Sequence, residues 1–257
     1  GCYGQELAVS PNLDQIAAEG VRFLYNYTCQ PVCAPARASL QTGLYATQTG
    51  VFMNNKSLDP KLKTIAQSFS ENGYKTGYVG KWHLATHLKG FSWEHRVEGD
   101  VEYFYSPIPP ERRGGYRDFW NAADVPEFTS TGYQGYLFDE DGEKLEFDKY
   151  RADFYTDRAL NWLESLSNRD PFFLFVSYLE PHHQNSNHRY EGPPGSRERF
   201  GDFTAPADLG FLEGDYYKEY PDYLGCCSAV DVGVGRLVGL LKEKSLYENT
   251  VVVFTSD

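Results

Sequence analysis

Cationic charge is what this sequence lacks most: 24 Lys and Arg stand against 36 Asp and Glu, for a formal net charge of −12. That deficit excludes nucleic acid as an expected partner, because no basic excess is left to neutralise phosphates. It also means that the long-range field does not help an anionic ligand. Any anion site must then be a local cluster of cations that overcomes the background. Cysteine is scarce, with five residues and no paired C-x-x-C, which excludes a disulfide framework and a structural zinc site of that pattern. No apolar run approaches the roughly 20 residues that cross a bilayer, so no membrane segment is expected in this chain. Internal repeats and low-complexity tracts are absent. So are an initiator methionine and a signal-like leader. The chain opens on Gly1-Cys2-Tyr3-Gly4 and stops on Ser256-Asp257, and we expect it to be a piece of a longer protein, cut at both ends.

What is present suits one large domain with a sizeable core, since 41% of the 257 residues are hydrophobic and 23% charged. Ser10 reads as the N-cap of a helix that begins on Pro11 and stops at Gly20. Val21 to Tyr27 alternates as a strand. Pro35 to Thr42 reads as a helix closed by Gly43, and Lys61 to Asn72 as another, with Leu62, Ile65, Ala66 and Phe69 on one face. Tyr74 to Val79 is strand-like. Residues from about 86 to 150 and from about 181 to 220 have no sustained period and read as irregular insertions. Between and after them come a helix from Arg151 to Ser167, a buried strand from Phe172 to Tyr178, a long helix from Tyr223 to Lys244 and a short strand from Thr250 to Phe254. Strands separated by helices predict an α/β fold, with a mostly parallel central sheet and helices on both faces. In such sheets functional groups sit beyond the carboxyl ends of the strands. Lys81-Trp82-His83, Pro181-His182 and Asp257 all fall at such positions.

The segment richest in chemistry is Cys33-Ala34-Pro35-Ala36-Arg37-Ala38-Ser39-Leu40-Gln41-Thr42-Gly43. A Cys at a helix N-terminus, four residues from an Arg, has its thiolate favoured. The plainer reading is a buried Cys ahead of a Pro-initiated helix, with Arg37 in a salt bridge. The pattern C-x-P-x-R followed by A-S-L-x-T-G resembles the signature of the type I, formylglycine-dependent sulfatases of the alkaline phosphatase-like superfamily. The second signature of that family is similar to Gly73-Tyr74-Lys75-Thr76-Gly77-Tyr78-Val79-Gly80-Lys81-Trp82-His83. The Ser10-Pro11-Asn12-Leu13-Asp14 segment and Pro181-His182 add to the likeness.

The resemblance implies a single sulfatase catalytic domain over residues 1–257, incomplete, whose irregular insertions shape a substrate pocket. It implies that Cys33 is oxidised to formylglycine by a formylglycine-generating enzyme and hydrated to a geminal diol. One hydroxyl would attack sulfur, and the other would let the sulfated intermediate collapse and expel sulfate, where an ordinary serine sulfate would need attack by water. Arg37 would stabilise the nucleophile, Lys81 would hold sulfate oxygens, His83 would accept the proton that drives elimination, and His182 would assist the leaving group. His183, adjacent to His182, competes for that last role. Calcium, or magnesium, would bind through hard oxygen donors. Asp257 and the modified residue 33 would be the metal ligands this chain supplies, with the other ligands and a further catalytic Lys outside residues 1–257. A small sulfated sugar or aryl ester would be the substrate, and an extracytoplasmic location (periplasmic, secreted or lysosomal) would follow.

Two other readings use the same residues. One is a phosphonate or phosphate diester hydrolase with the same modified nucleophile; the other is an inactive, truncated domain that only binds anions. Substrate specificity is expected from the first irregular stretch, where Trp93, Tyr103, Phe104, Tyr105, Arg112, Arg113, Tyr116, Phe119 and Trp120 mix aromatic and cationic side chains. The alternative is a loop packed on the domain by its own aromatics.

Overall fold

Residues 1–4, 6–90, 97–204, 209 and 212–257 are described in a computed structural model of the chain. Trp93 and His95 lie outside the described residues. Among the described residues four helices precede the first strand: α1 (Pro11–Glu19), α2 (Cys33–Thr42), α3 (Ala46–Thr49) and α4 (Ile65–Glu71). Ser10 occupies the N-cap of α1 without a capping side-chain bond, and α2 ends at Gly43, whose φ of 71° is the left-handed stop that glycine adopts cheaply. The expected start of α4 at Lys61 moves to Ile65. There Thr64 caps Gln67 and Gln67 bonds back to Thr64, so the capping box, rather than the apolar period, sets the boundary.

The run after Gly73 becomes β1 (Lys75–Lys81), the centre of a five-stranded sheet of order β4-β3-β2-β1-β5. The other strands are β2 (Phe119–Ala123), β3 (Gly135–Phe138), β4 (Lys144–Phe147) and β5 (Phe172–Ser177). Strands β2 and β5 flank β1 in parallel, whereas β3 and β4 extend the β2 edge as antiparallel strands. The α/β expectation holds, with the parallel part confined to the three strands that carry the site. Adjacent β1 side chains sort to opposite faces. Tyr78 packs with Trp82, Trp120, Ala34 and Ala66 beneath α2 and α4, while Val79 packs with Tyr155, Ala159 and Trp162 of α6 (Arg151–Ser165).

The stretch from 86 to 150, expected to be irregular, supplies β2, β3, β4 and the short α5 (Pro126–Thr129). Strand β2 is buried at all five positions, so it has no alternating pattern to betray it. Its aromatic and cationic residues go mostly into the core. Phe104, Tyr116, Phe119 and Trp120 are buried. Arg113 donates to the carbonyls of Ile108 and Glu140 and lies over the Trp120 ring. These residues are therefore packing groups, and the expectation that they grip substrate is corrected for them. Val21–Tyr27 forms no strand either. Among the described residues it has no ladder partner, and Val21, Phe23, Leu24, Tyr25 and Tyr27 are exposed. Thr250–Phe254 is likewise outside any ladder.

The last helices are α7 (Ser196–Phe200) and α8 (Tyr216–Glu243). Helix α8 starts seven residues before the expected Tyr223, with Pro221 tolerated in its second turn. By length and composition it could cross a membrane, although no uninterrupted apolar run of that length marks it in the sequence. Its environment is that of a core helix. It packs on α1, α6 and α7, and its fully buried Asp231 accepts hydrogen bonds from the Asn12 side chain and the Asn12 and Leu13 amides.

Candidate active site

Strand β1 ends where three donors meet one carbonyl. The Lys81 oxygen accepts from Arg37 Nη1 (3.0 Å), Ser177 Oγ (2.8 Å) and the Tyr78 hydroxyl. Gly80 makes this possible. At φ +107° a Cβ there would lie 2.0 Å from the Ser177 carbonyl oxygen, so only glycine lets β1 and β5 close so tightly beside the site. Beyond Lys81 the backbone turns. His83 sits at φ 58°, and the buried Asp124 carboxylate accepts from the amides of Leu84, Ala85 and Thr86 at 2.8–3.0 Å. The Asp124 carbonyl also accepts from His83 N. The strand stops at Lys81, and a turn clamped by Asp124 brings His83 to the same place.

Cys33 opens α2, and Arg37 lies one turn along it. Arg37 Nη1 donates to Ser177 Oγ at 2.5 Å, and Nη2 pairs with Asp257 Oδ2 at 2.9 Å. The Cys33 thiol hydrogen-bonds His182, which lies on the turn after β5. That bond is the main reason the thiol's pKa is lowered and the imidazole's raised. Burial opposes both changes, while Lys81 supports the first and Glu127 the second. His182 Nδ1 donates to the His183 carbonyl at 2.6 Å, leaving Nε2 as the atom that gains or loses a proton. His183 instead contacts Asn185 and the Tyr190 ring. Of the two adjacent histidines, His182 is the one brought to residue 33. His83 is almost fully buried, and burial, followed by Lys81, drives its pKa well below the ordinary value; its Nδ1 has no hydrogen-bond partner. It is thus held as a neutral imidazole.

Sequence reasoning missed Glu127. It sits in the first turn of α5, pairs with Lys81 Nζ and lies 3.7 Å from His182 Nε2. Burial alone would raise its pKa, but Lys81 and then His83 override it and hold the carboxyl at about 2. No local signal marks Glu127, because its partner is 46 residues away. Ser177 was missed for the same reason; it touches Arg37 across 140 residues. So was Arg151, whose guanidinium reaches Glu180 Oε1 (2.9 Å) and Gln184 Oε1 (3.3 Å). It thereby grips the chain two residues before and two residues after His182.

Among the described residues no group of three His, Cys, Asp or Glu is arranged to hold a metal ion. Asp257 is already paired with Arg37, so Asp257 and residue 33 do not by themselves fit a calcium site.

A family model described as Sulfatase matches residues 1–257. The chain is 31% identical over 268 residues to an ulvan-active sulfatase of Formosa agariphila, covering 100% of this chain and 47% of that protein. It is 24% identical over 333 residues to an N-acetylglucosamine-6-O-sulfatase of Bacteroides thetaiotaomicron, covering 100% of this chain and 54% of that one. The crystal structure of yidJ from Bacteroides fragilis superposes with a TM-score of 0.79 at 25% identity, over 97% of this chain and 56% of that one. The chain spans about half the length of the curated relatives it matches.

Proposed function

Because this chain belongs to the sulfatase family, we propose that it hydrolyses sulfate monoesters of sugars or aryl alcohols, using residue 33 as the nucleophile after conversion of Cys33 to formylglycine. The observation that carries this reading is the convergence of Cys33, Arg37, Lys81, His83 and His182 at the carboxyl ends of β1 and β5. The names of the relatives support a carbohydrate sulfate, and the family reading carries an extracytoplasmic location and a maturation enzyme as partner. The Cys33 thiol stands where a hydroxyl of the hydrated aldehyde would be. Once formed, that group supplies one oxygen to attack sulfur and a second to release sulfate.

The chain's own residues do the rest. Arg37, anchored by Ser177 and Asp257, faces residue 33 as a fixed cation and favours the ionised oxygen. Lys81 adds positive charge where sulfate oxygens gather, in surroundings that water screens little. His182, oriented through Nδ1 by the His183 carbonyl and facing Glu127 through Nε2, delivers a proton from Nε2 to the departing alkoxide. His83, kept neutral, takes the proton released as the sulfated residue collapses. The described residues of the stretches 86–150 and 181–220 would bound the pocket, with Tyr105, exposed near Phe128, as a side chain able to meet substrate.

The test is mass spectrometry of the Cys33 peptide from protein made in its native host, joined to assays of an aryl sulfate and an aryl phosphonate. An aldehyde mass at residue 33 and faster sulfate turnover are expected. Unmodified Cys throughout would refute the mechanism, and faster phosphonate turnover would refute the substrate class.

Arg151 should act through His182. Arg151→Lys keeps the buried charge opposite Glu180 but loses the fork that holds both ends of the turn. With alkyl sulfates, whose leaving groups need a proton, kcat should fall ~10- to 100-fold. With an acidic phenol as leaving group it should change less than ~3-fold, because little proton transfer is then required. An equal loss for both substrates, read from the dependence of kcat on leaving-group pKa, would mean that Arg151 serves stability alone.

A further inference from the structure

Glu127 is out of place in a site built to receive an anion. Its carboxylate is nine-tenths buried, paired to Lys81 and 3.7 Å from His182 Nε2. Its charge also bears on His83 and Arg37, so one acidic group faces all four basic residues of the site. Its second oxygen, Oε2, is buried without a hydrogen-bond partner. A group whose task was to hold Lys81 in place would need only the one oxygen that touches it. A buried, incompletely satisfied carboxylate costs stability, which asks for a role beyond the ion pair.

We propose that Glu127 makes the site selective for singly charged esters over doubly charged ones, and so for sulfate monoesters over phosphate monoesters. This rests on the sulfate-ester reading above. Arg37, Lys81 and His182 are the basic groups here, and Glu127 and Asp257 the acidic ones. The Glu127 carboxylate thus lowers the positive charge that these residues present to a bound ester. A phosphate monoester near pH 7 carries almost two negative charges and meets about twice the repulsion from that carboxylate, where water screens it poorly. Removing the charge of Glu127 adds one positive unit whatever else the site holds. A dianion then gains twice what a monoanion gains, because Coulomb energy scales with the charge on the ligand. The repulsive element excludes the wrong substrate more than it aids the right one.

The experiment compares three substrates with one phenol leaving group: the aryl sulfate, the aryl phosphate and the aryl methyl phosphate diester. The last carries phosphorus with a single charge, so it separates charge from element. Matured protein and its Glu127→Gln and Glu127→Asp variants are compared by ratios of kcat/KM, which are independent of how much of each preparation is folded or matured. For Glu127→Gln the phosphate-to-sulfate ratio should rise at least ~10-fold, a change of about 1.4 kcal/mol in relative transition-state binding. The diester-to-sulfate ratio should stay within ~3-fold, and Glu127→Asp should leave both ratios near those of the parent. An unmoved phosphate ratio, or a diester ratio that rises with it, overturns the proposal. Should Glu127→Gln fail to fold, the parent protein decides. Its phosphate-to-sulfate ratio should climb as pH falls through about 6, where the phosphate monoester becomes singly charged, and a flat ratio overturns the proposal. Absence of aryl sulfate turnover by the matured parent would overturn the sulfate-ester reading itself, whereas unmoved ratios in an active enzyme overturn only the role of Glu127.

Discussion

Replacing Cys33 by alanine should abolish turnover, by ~10⁴-fold or more, while leaving the fold in place. The size follows from removing the reacting atom itself: loss of a nucleophile leaves only the background catalysis that binding and charge provide. Retention of the fold follows from the position of the residue. Cys33 is the first residue of α2 and only partly buried, whereas the neighbours that lock the helix down, Ala34, Ala36 and Ala38, are almost completely enclosed. Alanine suits the first turn of a helix, and the Ala34 amide keeps its bond to Asn54 Oδ1. The check is kcat with an aryl sulfate alongside the thermal midpoint. Loss of activity with a midpoint within a few degrees of the parent is expected, and retained turnover would rule out residue 33 as the nucleophile.

Lys81→Ala should damage both stability and activity, and the two can be separated. Lys81 and Glu127 form a buried pair. Removing one partner of such a pair strands the other, at a cost of about 3–5 kcal/mol. Activity should fall ~10²- to 10³-fold, the usual cost of deleting one charge that stabilises the transition state. Adding Glu127→Gln to Lys81→Ala removes the stranded charge. The double variant should regain most of the stability, measured by denaturant unfolding, and little of the activity. Recovery of both would mean that Lys81 only neutralises Glu127. The pair also carries a pH signature of defined sign. The folded-state pKa of Glu127 lies at about 2, below its ordinary value. Its contribution to stability is therefore fully present above the normal carboxylate range and is lost as pH falls toward 2. Lys81→Ala should lack this acid-range loss.

These expectations divide by how the residues could be found. The helix carrying Cys33 and Arg37, the glycine that ends it and the run leading to Lys81 and His83 were legible because each is a local pattern. Cap, breaker, apolar period and motif all lie within a few residues of one another. The aromatic and cationic residues between 103 and 120 misled because composition does not say which way a side chain points. Most of them fill the core, and Arg113 is satisfied by two backbone carbonyls. Strands β2, β3 and β4 were invisible because they are four or five residues long, and β2 is enclosed at every position. No period of two survives to be read in such a strand.

By itself the sequence determined the family and the α/β class, and offered five polar residues of the motifs as site candidates, because short-range pattern and residue chemistry suffice for that. Tertiary structure alone decided which groups surround them. It turned His182 toward Glu127 and His183 toward Asn185, ended β1 at Lys81 under three donors to one carbonyl, set Arg151 across the His182 turn and placed Glu127 against Lys81. A buried charge is partnered by whatever the packing of distant segments brings within about 3 Å, and separations of 46 to 140 residues leave no trace of that choice in the local sequence.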